Sequence, residues 1–224
     1  MKIGIIIAVP EELQAFLEKG NGIIQETLAN KPLYRTTMDG HEICAMLSGW
    51  GEIDAAATTQ LLITVLGCEA ILNFGVTGAL IPSLKVEDLF VVRGALHYQY
   101  DVSPIDPVKP HQYAEFGDEF IPLDANLRSL AVSRFPSLME ARVASGDRFV
   151  EDREEKKNLA ALGCQICDME IAAIARICAL NGIPCLSIKC ISDTFDGTGE
   201  HYVQNVKTSA EKAFRVLREV IAAL

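Results

Sequence analysis

The stretch Gln165-Ile166-Cys167-Asp168-Met169-Glu170 is an apolar run that ends on two acidic residues and leads straight into an alanine-rich segment, Ile171 to Leu180. A second apolar run, Ile183 to Asp193, also ends on an acidic residue. A third acidic site, Glu11-Glu12, follows the N-terminal run Ile3 to Val9 in the same way. In an open parallel sheet, ligands bind beyond the carboxyl ends of the strands. Acidic residues there, next to buried segments, are expected to have shifted pKa values and to act as acid, base or charge stabiliser.

Size and composition favour one large α/β domain. The chain has 224 residues, half of them apolar, and a mean hydropathy of +0.21. This composition suits parallel strands that are buried on both faces. No apolar run reaches the roughly 18 to 20 residues that a membrane span needs. The N-terminus enters a strand-like run at once, a pattern unlike a signal peptide, and we therefore expect a cytoplasmic protein.

The charge and the cysteines argue against several partners and cofactors. A formal charge of −10 disfavours nucleic acid and anionic membranes as partners. The seven cysteines lie mostly within apolar segments, as reduced core thiols do. Cys164-x-x-Cys167 has the spacing of half a zinc site, but no second Cys or His pair completes it. We expect no metal or organic cofactor. The mixed-sign stretch Asp147 to Lys157 is expected to form a solvated helix face.

Strand-like and helix-like segments alternate along the chain, which predicts a single α/β domain over residues 1–224 with a mixed sheet. Asp39-Gly40 is a two-residue hairpin signal, so one pair of strands should be antiparallel. Ser103–Asp118 has no period and is expected to be a long loop. The predicted strands are Lys2–Val9, Leu33–Met38, Glu42–Leu47, Ala70–Phe74, Leu89–Val92, Ala141–Ser145, Gln165–Asp168 and Cys185–Ile191. The predicted helices are Glu11–Glu18, Ile53–Leu66, Ala125–Arg134, Glu154–Ala161, Glu170–Asn181 and Val203–Ala223.

Two glycine-containing segments follow predicted strands. Gly75-Val76-Thr77-Gly78 can bring the backbone close to a ligand, although an ordinary turn is the commoner use of such spacing. It is neither a dinucleotide fingerprint nor a P-loop, because the third glycine and the Gly-Lys-Ser/Thr sequence are missing. Phe149, just after Ser145-Gly146, could stack on a planar ligand or fill the core. Taken singly, the acidic strand ends could be helix caps, but their recurrence favours one binding site.

Five segments occur in a consistent order along residues 1 to about 195: Met1–Glu12, Gly75–Leu80, Ser145–Phe149, Asp168–Ala175 and Ile191–Asp193. Together they resemble the nucleoside phosphorylase superfamily, and most closely its 5′-methylthioadenosine/S-adenosylhomocysteine nucleosidase branch. The resemblance implies a three-layer α/β/α fold with a central mixed, mostly parallel, twisted sheet. It also implies a homodimer that hydrolyses the N-glycosidic bond of an adenine nucleoside.

The resemblance implies a role for each site residue. Glu12 corresponds to the glutamate that helps to activate the attacking water, and Glu170 to the one that holds the ribose hydroxyls. Asp193 corresponds to the acid that protonates N7 of the purine. Further substrate contacts are implied for Val9, Trp50, Val76, Thr77, Gly78, Phe149, Val150, Met169, Lys189 and Ser192.

The chemistry of N-glycoside cleavage suits these residue types. Cleavage leaves an oxocarbenium-like sugar and an electron-rich purine, so an acid at N7 improves the leaving group. Asp193 must then hold its proton near neutral pH, which requires burial to raise its pKa well above about 3.9. Glu170, next to developing positive charge, is expected to stay ionised.

Three positions depart from the nucleosidase pattern. Val76 stands where a serine near the water is common, and Lys189 stands where an arginine is common. Trp50 replaces a smaller aliphatic residue of the 5′ pocket, so the preferred 5′ substituent stays open. Phosphorylases carry phosphate-binding residues at places that look to be Asn73 and Val76 here, and water is therefore the expected nucleophile. Thr77 keeps a phosphate-dependent phosphorylase open, and a nucleoside-binding protein without turnover is the third hypothesis.

Overall fold

The computed structural model describes residues 1–224 and centres on a mixed sheet, whose strands are formed by runs rich in Ile, Val and Leu. Branched apolar side chains favour extended backbone and pack well between two helical layers. In chain order the strands are β1 (Lys2–Ile7), β2 (Ile24–Leu28), β3 (Lys31–Met38), β4 (His41–Leu47), β5 (Ala70–Ala79), β6 (Leu89–His97), β7 (Ile121–Pro122), β8 (Met139–Ser145), β9 (Ile166–Asp168) and β10 (Cys185–Asp193). The helices are α1 (Pro10–Leu17), α2 (Glu52–Thr64), α3 (Ala125–Arg134), α4 (Arg153–Ala161), α5 (Ile171–Asn181) and α6 (Gly199–Ile221).

The strands lie in the order β10-β6-β8-β9-β5-β1-β4-β3-β2, with β7 paired to β6. The central pairings of β1 with β4 and of β5 with β1 and β10 are parallel, whereas β2, β3 and β4 pair antiparallel. Because β10 pairs with both β5 and β6, the strands β5, β9, β8, β6 and β10 close into a ring. The ends of β5 and β10 lie side by side, with Asp193 opposite Gly78, whereas β1 ends earlier, just after Ile6 pairs with Asn73. Strand β9 meets the end of β5.

Helices cover both faces of this sheet and give the three-layer α/β/α architecture. Helices α1, α3 and α6 pack on one face, where the ring of Phe214 lies 5.7 Å from that of Phe16 and 4.8 Å from that of Phe74. Helices α2 and α5 pack on the other face. Each fully buried side chain of this kind stabilises the fold by about 1.5 to 3 kcal/mol. None of the six helices combines the length and the apolar character that a membrane crossing requires.

Every predicted strand and helix is present, and two turn predictions are confirmed. Asp39 and Gly40 connect β3 and β4 with φ angles of 48° and 85°, as a two-residue hairpin requires. Ser103–Asp118 contains no helix or strand. The sequence missed β2, which is an exposed edge strand, and β7, which has two residues and contains a proline.

Two expectations are wrong. The segment Gly75–Gly78 is not a turn, because β5 runs on to Ala79. The stretch up to Lys157 is not wholly solvated, because the side chain of Lys156 is completely buried.

Candidate active site

The acidic strand ends face one cleft of about 440 Å³, a volume that includes its opening to solvent. It lies where β1, β5 and β10 end and where β9 passes into α5. The cleft is lined by Ala8, Val9, Glu12, Trp50, Val76, Thr77, Gly78, Phe149, Cys167, Asp168, Met169, Glu170, Ser192, Asp193 and Tyr202. Glu12, Glu170 and Asp193, from three separate parts of the sequence, therefore share a single site.

Glu12 lies in the first turn of α1, and backbone N–H groups hold its carboxylate in place. Its Oε1 accepts a hydrogen bond from the N–H of Val76 at 2.9 Å, and its Oε2 accepts from those of Ala8 and Val9 at 3.0 and 3.4 Å. A Cβ on Gly75 would lie 2.2 Å from Oε1, so a glycine is needed there. Burial raises the pKa of Glu12, against the lowering effect of the Lys189 charge and of these N–H groups. A raised pKa suits a base that works near neutral pH.

Asp193 ends β10 beside Gly78 of β5. A Cβ on Gly78 would lie 2.8 Å from Oδ2 of Asp193, so this second glycine also makes room for a carboxyl group. Oδ1 accepts a hydrogen bond from the hydroxyl of Ser192 at 2.9 Å. Burial raises the pKa of Asp193, while Ser192 and the charge of Lys156 lower it. The predicted upward direction of this pKa is confirmed.

Glu170 stands at the start of α5. Its Oε1 accepts from the N–H of Gly51 at 3.0 Å, and its Oε2 from that of Met169 at 3.3 Å. Burial, and next the charge of Asp168, raise the pKa of Glu170 to about 7. With this pKa the carboxyl group of Glu170 is partly protonated near neutral pH. That Glu170 is ionised beside the positive charge developing on the sugar stays a prediction.

Lys189 is placed differently from the predicted substrate contact. Its Nζ lies 2.7 Å from Oδ2 of Asp168, both side chains are buried, and it does not line the cleft. Although burial lowers the pKa of Lys189, the charges of Asp168, Glu170 and Glu12 outweigh it, and the net shift is upward. The ammonium therefore offsets the negative charge of the carboxylates from behind the cleft.

An aromatic group forms one side of the cleft. The ring of Tyr202, on α6, lies 6.2 Å from that of Trp50 and 5.8 Å from that of Phe149. Trp50 is 52% exposed and Phe149 is 40% exposed, so neither is a core residue. Sequence reasoning missed Tyr202, since it lies outside the matched motifs in a helix whose pattern is otherwise amphipathic. Val150 lies apart from the main cleft, in a smaller adjoining cavity that Phe149, Gly78 and Asp193 also line.

The family model of the phosphorylase superfamily matches residues 2–222. The chain belongs to this superfamily. Among curated relatives, it is 31% identical to a 5′-methylthioadenosine/S-adenosylhomocysteine nucleosidase of Anoxybacillus flavithermus, over 86% of this chain and 85% of that protein. It is 29% identical to an aminodeoxyfutalosine nucleosidase of Helicobacter pylori, over 100% of this chain and 99% of the relative.

The structure agrees with this membership of the phosphorylase superfamily. It matches a Helicobacter pylori 5′-methylthioadenosine/S-adenosyl homocysteine nucleosidase, solved in complex with a substituted pyrrolidin-3-ol, with a TM-score of 0.93. The two are 28% identical, and the match covers 100% of this chain and 99% of the other. The closed ring of strands and the two helical layers thus form a nucleoside phosphorylase-like fold.

The cleft of this superfamily member is lined by four acidic residues and by no lysine or arginine. A fifth carboxyl group lies beneath it. Glu52 is buried and accepts hydrogen bonds from the Ser145 hydroxyl and the Ala173 N–H, both at 2.6 Å. Burial, opposed in part by Ser145, raises the pKa of Glu52 to about 8. No group of three or more His, Cys, Asp or Glu side chains is arranged to hold a metal ion.

Proposed function

We propose that this protein is a nucleosidase that hydrolyses the N-glycosidic bond of an adenine nucleoside with a 5′ substituent and releases adenine. The observation that carries the proposal is the convergence of Glu12, Glu170 and Asp193 on one cleft. The names of the curated relatives, which are nucleosidases, support it.

Each carboxyl group has a separate task in the proposed reaction. Asp193 donates its proton to N7 of the purine while the bond between C1′ and N9 breaks and its electron pair passes to the base. Glu170 accepts hydrogen bonds from the ribose hydroxyls, and the positive charge that develops on the sugar favours its ionised form. Glu12 takes a proton from the water whose oxygen bonds to C1′. Glu12 and Asp193 adjoin glycines three residues apart in β5, about 10 Å along a strand, which leaves room for a sugar and a water.

The charge of the cleft supports hydrolysis over phosphorolysis. A phosphate dianion needs cationic or hydrogen-bond donating groups around it. The lining of this cleft is acidic, and Val76 and the buried Asn73 offer no positive charge. Thr77 does not rescue the phosphorylase alternative, since its hydroxyl already donates to the carbonyl of Cys167 at 2.7 Å.

The names of the relatives do not determine which 5′ substituent the substrate of this protein carries. Some are named for methylthioadenosine and adenosylhomocysteine, and others for aminodeoxyfutalosine. Trp50 and Tyr202 form an aromatic wall on the cleft, and we assign this wall to the 5′ substituent. A thioether or a planar group would pack against it.

We also propose that two copies of the chain associate in the cytoplasm. Several large apolar side chains are exposed to solvent: Ile53 is 82% exposed, Val65 58% and Ile105 89%. Two of them lie at the ends of α2 and one in the long loop, and a subunit contact over these segments would remove them from water.

The test is adenine release by wild type, Asp193→Asn and the control Asp39→Asn, with methylthioadenosine, adenosylhomocysteine, aminodeoxyfutalosine, adenosine and inosine, each with and without phosphate. Asp39 is an exposed aspartate in the hairpin between β3 and β4, outside the cleft, so its substitution should leave activity unchanged. We expect phosphate-independent release that Asp193→Asn lowers several hundred-fold or more. Activity of Asp193→Asn within about tenfold of wild type contradicts the proton-transfer role. Release that requires phosphate selects a phosphorylase, and binding without release selects a non-catalytic protein.

A further inference from the structure

Lys156 is a buried cation that the proposed reaction does not use. It lies in α4, its side chain has no exposed surface, and it is next to Lys157, whose side chain is 61% exposed. A buried ammonium is costly unless hydrogen bonds and opposite charges compensate for its lost hydration. The groups around its Nζ therefore indicate the role of Lys156.

Three backbone carbonyl groups surround the ammonium. Nζ donates to the carbonyl oxygens of Thr194 at 3.0 Å, Phe195 at 3.2 Å and Gly197 at 3.4 Å. These carbonyls belong to the short segment 194–197, which follows Asp193 directly and connects β10 to α6. An ammonium has three donors, and all three acceptors here come from this one segment. Lys156 thus fixes the chain just after the proposed proton donor.

The same Nζ lies 3.9 Å from Oδ2 of Asp193. The two oxygens of this carboxyl group are in different surroundings, since Oδ1 accepts from Ser192 and Oδ2 faces the ammonium. The other titratable groups that act on Asp193 are Glu151 before α4, Cys167 of β9, and His201 and Tyr202 of α6. Lys156 is the first of the charged groups that favour the ionised carboxylate.

We propose that Lys156 is a positioning residue for the proton donor: it holds segment 194–197 against α4 and places a positive charge beside the carboxyl group of Asp193. This inference rests on the proposed function. Burial alone raises the pKa of a carboxyl group, so the group keeps its proton but is a weaker proton donor. The nearby ammonium stabilises the carboxylate that remains after the proton has moved to the purine, so Asp193 can both hold and donate the proton near neutral pH.

Four variants separate charge from structure. Lys156→Met removes the charge and the donors, Lys156→Gln removes the charge but keeps an N–H donor, and Lys156→Arg keeps the charge. Lys157→Met is the matched control on the solvent side of the same helix. Thermal unfolding checks each variant, and Lys156→Gln carries the test if Lys156→Met does not fold.

The readouts are the pH profile of kcat/KM for adenine release and a carbon-13 NMR titration of the Asp193 carboxyl group in the ligand-free protein. An opposite charge within about 4 to 6 Å lowers a carboxyl pKa by about 1 to 3 units. We therefore expect the alkaline limb and the carboxyl titration to move upward by about one pH unit or more in the neutral variants, with a lower plateau rate. Lys156→Arg and Lys157→Met should keep the wild-type limb.

An Asp193 titration that stays at its wild-type position in Lys156→Gln overturns the proposal, even if activity falls. A rate loss in the neutral variants without a shift of the limb does the same, because it shows a merely structural role. A shifted titration in a protein that releases no adenine supports the assignment of Lys156 and refutes the proposed function instead.

Discussion

Gly75→Ala is expected to abolish most of the activity, because the added methyl group displaces the carboxylate of Glu12. Gly75 lies within β5, and its φ angle is not positive, so alanine fits the backbone there. The new Cβ, however, would lie 2.2 Å from Oε1 of Glu12, whereas ordinary contact begins at 3.4 Å. The carboxylate must therefore move by about 1.2 Å, the difference between the two distances.

The size of the effect follows from what that movement breaks. Glu12 accepts three backbone hydrogen bonds, of which the one from Val76 is on the same oxygen that the methyl group displaces. A hydrogen bond to a charged group contributes about 1.5 to 3 kcal/mol. A catalytic group misplaced by about 1 Å loses about 100-fold in rate. We therefore expect kcat for adenine release to fall about 100-fold.

The assay is initial-rate adenine release, with thermal unfolding measured on the same samples. Gly117→Ala is the control, because a Cβ at Gly117 meets nothing within 4 Å. The double variant Gly75→Ala/Glu12→Ala should be no slower than Glu12→Ala alone, since the methyl group then has no carboxylate to displace. A Gly75→Ala variant within threefold of wild type would refute this reasoning. A further tenfold loss in the double variant would show that the methyl group acts on something else.

Two other substitutions test neighbouring parts of the site. The pKa of Glu52 in the folded protein, about 8, lies above its ordinary value of 4.5, so its contribution to stability is fully present below pH 4.5 and is lost as the pH rises through 8. Wild type should therefore lose up to about 4 kcal/mol of its free energy of unfolding between about pH 5 and pH 8, measured in urea, whereas Glu52→Gln should not lose it. Equal pH dependence of the two proteins would contradict this. Trp50→Ala should raise KM for methylthioadenosine up to about tenfold and leave that for 5′-deoxyadenosine nearly unchanged, because the lost aromatic contact serves only the 5′ substituent. Equal changes in both KM values would place Trp50 elsewhere.

The site was partly predictable because its three carboxylates share a local signature. Each follows an apolar run, and the ends of neighbouring parallel strands gather at one edge of a sheet. That argument joined Glu12, Glu170 and Asp193 without coordinates. The same argument did not identify Tyr202, which lines the cleft from α6. It also missed Lys156, which in the sequence resembles an ordinary surface lysine in a charged stretch but is buried.

The glycines of β5 show where local pattern reasoning fails. Gly75 and Gly78 look like a turn in the sequence, and two glycines three apart usually are one. In the folded chain they stay in the strand, and each leaves room for a carboxyl group from another element. The carboxyl groups beside them come from α1 and β10, which are far from residue 75 in the sequence, so local pattern reasoning could not find them.

The alternation of strands and helices, the three acidic strand ends and the family could be read from the amino-acid sequence, because periodicity, turn residues and motifs are local properties of a chain. The ring of strands, the placement of Lys189 behind the cleft and the pKa values of the carboxyl groups in the cleft could be seen only in the folded chain. Burial and the distance between charges set a pKa, and both depend on which distant segments of the chain meet. Burial and the charge of Asp168 raise the pKa of Glu170 to about 7 for that reason.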